Sequence, residues 1–397
     1  MEFVVLSSFP GHASGNVGDR LLLESTMEVV EEVHGPTDFH VHWRGEDFTS
    51  RLDYLNRMDG ILLCGFEYTK ILSDQYQIAE DIDAVEPPLI PIGAIHRFFP
   101  GDERELARQR LDPSIRSFLD RVVRYCPDGE IPVRTELVGR VLRQNGFRST
   151  LTGDPGWYDP EYIGEEFHTP DTIERLVFTT PHWSMYVDQA KELIDRLTRQ
   201  FPAAERTVVL HSGPNDIDRE LSSFARTVGW NVHYASHETE FIDFYRESDL
   251  HVGYRKHGHL AHLRWRRPSV ILAEDSRVQG LNETLGTAGF SAFEPRKGLS
   301  RRFGEIYNWF PVIGLYFALE QYGYDNLLPH RESLVATPNP TAVDDVLEFV
   351  MEQQAKDWEA LSQVQRTIDE TYEEGMKPFL KSALTQYSIE EARPKEL

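Results

Sequence analysis

Cysteine is almost absent: Cys64 and Cys126 are the two in 397 residues. They lie far apart and match no metal or redox spacing, which excludes a disulfide framework and points to a reducing, cytoplasmic compartment. No apolar run approaches the roughly 20 residues of a membrane span. The opening MEFVVLSSF enters a strand-like run without a basic leader, so neither a span nor a targeting segment is expected. Lysine is scarce too, 8 residues against 33 arginines. Positive charge as a whole is outweighed, with 65 acids against 41 bases and a formal net charge of -24. Such a balance repels phosphate backbones and excludes general affinity for nucleic acid. An acid-rich, lysine-poor surface fits a protein that works in concentrated salt, where self-repulsion is screened. Its thermal midpoint should then rise between dilute buffer and molar potassium chloride, and an unchanged or falling midpoint contradicts the idea.

A chain of this length exceeds one ordinary core and predicts two domains. Short apolar runs alternate with amphipathic stretches, the pattern of βα units. FVVLSS (3–8), DFHVHW (38–43), GILLC (60–64), LIPIG (89–93), IPVR (131–134) and TLTG (150–153) read as strands. Helices are predicted over 21–34, 48–58 and 135–146. Residues 154–172 are rich in Pro, Gly and acids and lack periodicity, so the boundary falls there. The alternation restarts with RLVFTT (175–180) and runs through RTVVLHS (206–212), NVHYA (231–235), LHVG (250–253) and SVILA (269–273). The fold class is therefore α/β, with two Rossmann-like domains at 1–165 and 166–302 facing a cleft. Residues 303–397 read as a mostly helical extension packing across both, with no chemistry assigned.

Three constellations could carry chemistry. In SGNVGDRLLLES (14–25), Gly15 and Gly18 permit unusual backbone angles, and Asn16 lies between them. Asp19 is a natural N-cap for the following helix, whose N-terminus offers N–H groups to an anion. The spacing is that of neither a dinucleotide fingerprint nor a P-loop. In the second, Arg134 sits where a strand meets a helix, and Asp154 follows the next strand with Pro155. The third, His251 to Gly280, packs six basic residues and four histidines into 30 positions of an acidic chain. Arg255, Lys256 and His257 occupy the turn after LHVG, and Arg277 follows SVILA, so both loops leave one sheet edge. Arginine's planar fork suits phosphate and carboxylate oxygens in two-point contacts. Arg264, Arg266 and Arg267 read as a solvated or acid-paired face. His259 and His262 lie one turn apart, but no third ligand completes a zinc set, and no metal is assigned.

Taken in order, these motifs resemble the polysaccharide pyruvyl transferases. The resemblance rests on Asn16, Gly18 and Asp19, on Arg134 to Glu136, on Asp154 and Pro155, and on Gly253, Arg255, His257 and Pro268. It covers roughly residues 1–290. Three places depart from the family pattern: Lys256 replaces a usual leucine, Arg277 a usual lysine, and the often glycine-rich second loop reads CGFEY (64–68).

The resemblance implies a GT-B-like pair of Rossmann-like domains and a transferase that needs no metal or cofactor. Its donor would be phosphoenolpyruvate, and the product a cyclic ketal between pyruvate and two hydroxyls of a sugar or glycan, with phosphate released. His257 would be the acid, with Arg255 beside it; Arg255, Arg277, Arg134 and the loop Gly15, Asn16 and Gly18 would hold the donor. Asp19, Asp154 and Lys256 would line the rest of the cleft. A homo-oligomer is compatible with the sequence. Two alternatives stand beside it. One is a nucleotide-sugar glycosyltransferase of GT-B type, with Glu283 as ribose partner. The other is a non-catalytic sugar-binding or scaffold member of the family.

Overall fold

A computed structural model of the chain describes residues 1–9, 16–68, 76, 78, 82–96, 110–111, 113–211, 215–235, 240–286, 289–296 and 336–390. In the first half, β1 (Glu2–Ser7), β2 (Asp38–Trp43), β3 (Gly60–Cys64) and β4 (Leu89–Ile92) form a parallel sheet ordered β2-β1-β3-β4. Every residue of β3 and β4 is buried, which is why both read as unbroken apolar runs rather than as alternation. β5 (Glu130–Val133) and β6 (Arg148–Leu151) pair parallel and join this sheet through a bridge between Ala94 and Val133. The helices of this half are α1 (Val17–His34), α2 (Leu52–Leu55), α3 (Pro113–Val122) and α4 (Glu136–Gln144). The helix expected over 48–58 is only a 3-10 turn, Thr49–Arg51, running into α2. Of that span just Phe48 and Leu55 are buried, too little packing to hold a longer helix.

The second half is built from β7 (Arg175–Thr179), α5 (Val187–Gln200), β8 (Glu205–Leu210), α6 (Asp216–Thr227) and β9 (Asn231–Tyr234). It continues with α7 (Glu240–Arg246), β10 (Leu250–Gly253), α8 (Lys256–Arg264), β11 (Ser269–Ala273), α9 (Ser276–Leu285) and β12 (Gly289–Ser291). Its sheet is parallel and ordered β12-β11-β10-β7-β8-β9. Counted within this half, that is the Rossmann order, with a topological switch between β7 and β10. The first sheet switches in the same way between β1 and β3.

β13 (Phe293–Pro295) pairs antiparallel with β14 (Ala336–Pro338) and leads into α10 (Ala342–Ala355) and α11 (Glu359–Glu370). A π-helical turn, Thr371–Met376, then continues into α12 (Lys377–Glu390). The helical extension begins on the second half, where α10 packs on α5 and β12, and ends on the first, where α12 packs on α1. At the crossing, a Cβ on Gly375 would lie 2.2 Å from the Leu151 carbonyl oxygen, so glycine lets the turn touch β6. Residues 303–335 of the expected extension lie outside the described residues.

Arg264 and Arg266 are acid-paired but not solvated. Arg264, 4% exposed, joins Glu28 of α1 at 2.5 Å and Asp159 at 3.2 Å. Arg266, 2% exposed, joins Asp369 of α11 at 2.6 Å. Both arginines therefore staple the halves and the extension together. The fold is GT-B-like: two Rossmann-like units facing each other, with a helical C-terminal extension returning to the first.

Candidate functional site

Open parallel sheets bind ligands at a switch point, beyond the carboxyl ends of their strands. Here the two switch points meet. Asn16 caps α1, accepting from the Gly18 N–H at 2.9 Å, so the helix starts before Asp19, which lies in its first turn rather than at its cap. Opposite stands His257, in the first turn of α8. A Cβ built on Gly18 would fall 1.8 Å from His257 Nδ1, so the ring rests directly on the glycine. Glycine at 18 serves this approach across the cleft. Gly15 lies outside the described residues.

Gly18→Ala should therefore displace the imidazole while leaving the fold intact. A displacement of this size is expected to lower turnover about 10²-fold. Steady-state kinetics beside a thermal melt checks this; wild-type turnover in the variant contradicts it.

Beside His257 lies a buried charge cluster drawn from both halves. Arg134, between β5 and α4, is fully buried, with Nη1 3.0 Å from Asp154 Oδ2. Lys256 donates to the same oxygen at 3.2 Å, and the Gly156 N–H binds the other at 3.0 Å. Burial favours the neutral carboxyl, but Arg134 and Lys256 hold Asp154 below the usual carboxylate range. Burial, with Arg134 and Arg277 nearby, pushes Lys256 down to about 7 despite its aspartate partner. None of the three guanidinium nitrogens of Arg134 makes a hydrogen bond among the described residues. A buried cation with unused donors is poorly satisfied by the protein alone and suits an incoming anion.

Arg255 extends the positive wall. It is 4% exposed, its backbone N–H donates to Thr179 Oγ1 at 3.1 Å, and Glu274 is the carboxylate that acts on its charge most strongly. Gly253 is obligatory before it, because a Cβ there would meet the Thr179 backbone at 2.6 Å. Arg277 is engaged locally: its Nε lies 3.0 Å from both oxygens of Asp275, and its Nη2 lies 2.6 Å from Oδ2. Its charge still reaches Arg134, Lys256 and His257, but its fork is turned toward Asp275. Burial first, then Lys256, His211, Arg134 and Arg277, holds His257 well below its ordinary pKa. In the unliganded protein this imidazole is neutral.

Residues that sequence reasoning passed over complete the rim. Glu274, 3% exposed, accepts from the His182 backbone N–H at 2.8 Å and lies 2.9 Å from His182 Nδ1. His211 pairs through Nε2 with the Tyr245 hydroxyl, and its carbonyl accepts the Val17 N–H at the start of α1. His259 and His262 are turned into the second half: His259 meets Ser269 at 2.6 Å, and His262 meets Ser248 at 2.6 Å and the Gly258 carbonyl at 2.8 Å. No cluster of three metal-binding side chains occurs among the described residues. Glu283 pairs with Arg140 at 2.5 Å on the outer face. A depression of about 520 Å³ lies at the other end of α8, lined by Glu28, Glu31, Asp159, Arg246 and Arg264. Its acids repel anions, so it is not the site described above. No helix of the described residues is long and apolar enough to cross a membrane.

No protein family and no curated protein matches the chain. Among solved structures it is similar to a Listeria monocytogenes protein assigned as UDP-N-acetylglucosamine 2-epimerase, at 11% identity and a TM-score of 0.51, covering 100% of this chain and 99% of that one. It is also similar to another UDP-N-acetylglucosamine 2-epimerase, at 10% identity and 0.47, covering 100% and 98%. A Rickettsia africae glycosyltransferase matches at 9% identity and 0.47, covering 99% of each chain. At these identities the likeness is one of fold.

Proposed function

We propose that the chain transfers pyruvate from phosphoenolpyruvate to two hydroxyls of a sugar or glycan acceptor, forming a ketal and releasing phosphate. The observation that carries this reading is Arg134: fully buried, sharing Asp154 with Lys256, its guanidinium making no hydrogen bond among the described residues, next to a histidine that closes on Gly18. Phosphoenolpyruvate is small and densely anionic, and its phosphate and carboxylate match two arginine forks, those of Arg134 and Arg255. Arg277 and Lys256 add field rather than a second fork.

His257 acts as the acid in this scheme, and its neutral resting state makes it conditional. Burial first, and then the neighbouring cations Lys256, Arg134 and Arg277, hold its proton off; the donor's negative charge offsets the cations on arrival. Donor binding then loads the proton that the methylene carbon takes. The adjacent carbon becomes electrophilic, and the first acceptor hydroxyl adds to it; the second displaces phosphate.

Lys256 makes donor affinity depend on pH. Its folded pKa lies at about 7, so above that pH it arrives neutral and must take up a proton to face the anion. The donor dissociation constant should therefore rise by up to about 10-fold per pH unit above neutrality. Lys256→Met should reduce that slope, leaving the share that proton loading at His257 contributes. Titration calorimetry across pH 6–9 checks both, and an equal slope in the variant assigns the proton elsewhere.

A second reading, nucleotide-sugar chemistry, is favoured by the likeness to the Listeria protein, whose assigned substrate is a UDP-sugar. Its ribose candidate, Glu283, is already paired with Arg140, both about a third exposed. Binding measured against phosphoenolpyruvate and UDP-N-acetylglucosamine at low and high salt separates the two. Saturable binding of phosphoenolpyruvate alone supports pyruvyl transfer, and binding of the nucleotide sugar alone supports the rival. Binding of neither supports a non-catalytic scaffold.

A further inference from the structure

We propose that His182, held by Glu274, is the base that takes the proton from the acceptor hydroxyl. This rests on the pyruvyl-transfer reading and adds the group that reading lacks, since addition across the double bond needs both a proton donor and a proton acceptor.

The sheet order places the pair. β10 lies between β7 and β11, so the loop carrying Arg255 is flanked by the loops that follow those two strands. His182 follows β7, and Glu274 follows β11. Glu274 spans the gap: one oxygen accepts the backbone N–H groups of His182 at 2.8 Å and Trp183 at 3.4 Å, and the other lies 2.9 Å from His182 Nδ1. A buried carboxylate is costly unless it is fully used, and each of these donors comes from the His182–Trp183 segment. Its evident use is to fix that imidazole.

The ring itself is accessible, with 34% of the His182 side chain exposed against 3% for Glu274. A proton on Nδ1 points at the carboxylate and leaves Nε2 as the basic nitrogen. The carboxylate then stabilises the imidazolium that forms, the arrangement of a nucleophile-activating dyad. Burial pushes the Glu274 carboxyl up to about 8, against the opposing pull of Arg255 and the His182 backbone N–H. The charged and titratable groups facing the pair are Arg255 from the β10 loop, His211 from the β8 loop, and Asp275 and Arg277 from the start of α9.

The step balances without a further reactant. The hydroxyl oxygen bonds to the central carbon of phosphoenolpyruvate as the methylene carbon takes a proton from His257, and the hydroxyl proton passes to His182 Nε2. The second hydroxyl then bonds to the same carbon. The bond to the phosphate oxygen breaks, its electron pair leaves with phosphate, and the second hydroxyl proton goes to that phosphate. Solvent exchange returns the His182 proton to His257.

The test uses the full chain, phosphoenolpyruvate, and p-nitrophenyl β-galactopyranoside and α-mannopyranoside as acceptors, with phosphate release as readout. His182→Gln should bind phosphoenolpyruvate within about 3-fold of wild type and release phosphate at least about 10²-fold more slowly. Glu274→Gln should slow release about 10-fold or more. In His182→Gly, added imidazole should restore turnover in proportion to its neutral form, which a structural histidine would not permit. Undiminished turnover in His182→Gln, or loss without imidazole rescue, overturns the dyad while wild-type donor binding leaves pyruvyl transfer standing. If wild-type protein neither binds phosphoenolpyruvate nor releases phosphate from it, the pyruvyl-transfer reading falls, and the dyad's role with it.

Discussion

Arg134→Met is expected to leave the protein folded, with an unchanged or higher melting temperature, and to weaken phosphoenolpyruvate binding by at least about 10²-fold. The two effects have one cause. Arg134 is fully buried, and its hydration is replaced by one ion pair at 3.0 Å with no hydrogen bond from its guanidinium among the described residues. Methionine has comparable length and no charge to desolvate. It leaves no lone ion behind, because Asp154 keeps Lys256 at 3.2 Å and the Gly156 N–H at 3.0 Å. Cutting a buried pair on one side usually costs about 3–5 kcal/mol because a lone charge stays behind, and here Lys256 spares Asp154 that fate. The donor, by contrast, loses a two-point contact in which each charged hydrogen bond contributes about 1.5–3 kcal/mol. Thermal melts and titration calorimetry on one preparation check both halves. Unchanged donor affinity removes Arg134 from the site, and a collapsed melt makes it structural.

His257→Gln is expected to separate binding from chemistry. Glutamine keeps a hydrogen-bond donor and comparable bulk but has no proton to transfer at a useful pKa. Donor affinity should stay within about 3-fold, while turnover falls at least about 10²-fold. The mechanism adds a second signature. Donor binding to wild type should take up protons at neutral pH, because the arriving anion raises both His257 and Lys256 from depressed values. The variant should take up fewer. Calorimetry in buffers of different ionisation enthalpy counts those protons, and equal uptake in the two proteins locates the loading elsewhere. Full turnover in His257→Gln returns this histidine to a packing role against Gly18.

Much of the α/β alternation was legible because buried parallel strands write themselves as short apolar runs. DFHVHW, GILLC, LHVG and SVILA match β2, β3, β10 and β11 end to end. Local chemistry placed Arg134, Asp154, Arg255 and His257 at strand ends, and the fold brings strands and ends together. Competing local signals were harder to rank: both Asn16 and Asp19 are good caps, and only the helix start decides for Asn16. The engagement of Arg277 by Asp275 was a missed local signal, since an aspartate two residues before an arginine at a helix start can cap and pair at once.

Long-range pairing left no trace in the sequence. His182 and Glu274 lie 92 residues apart and meet because β7 and β11 flank β10. Arg264 and Arg266 read as a solvated or acid-paired face, and the sequence could not choose between the two because their partners, Glu28, Asp159 and Asp369, come from distant elements. The depressed Lys256 likewise depends on burial that no local pattern announces.

Whether this cationic cleft moves pyruvate is best read on the acceptor itself. The full chain is incubated with phosphoenolpyruvate labelled with carbon-13 at the central carbon, together with the galactoside and mannoside acceptors, and the products are read by carbon-13 NMR. Pyruvyl transfer should give a new ketal carbon resonance on a glycoside, growing in step with released phosphate and absent from Arg134→Met. Label that stays in phosphoenolpyruvate or leaves as free pyruvate, while the same protein transfers sugar from a UDP-sugar to either acceptor, contradicts it.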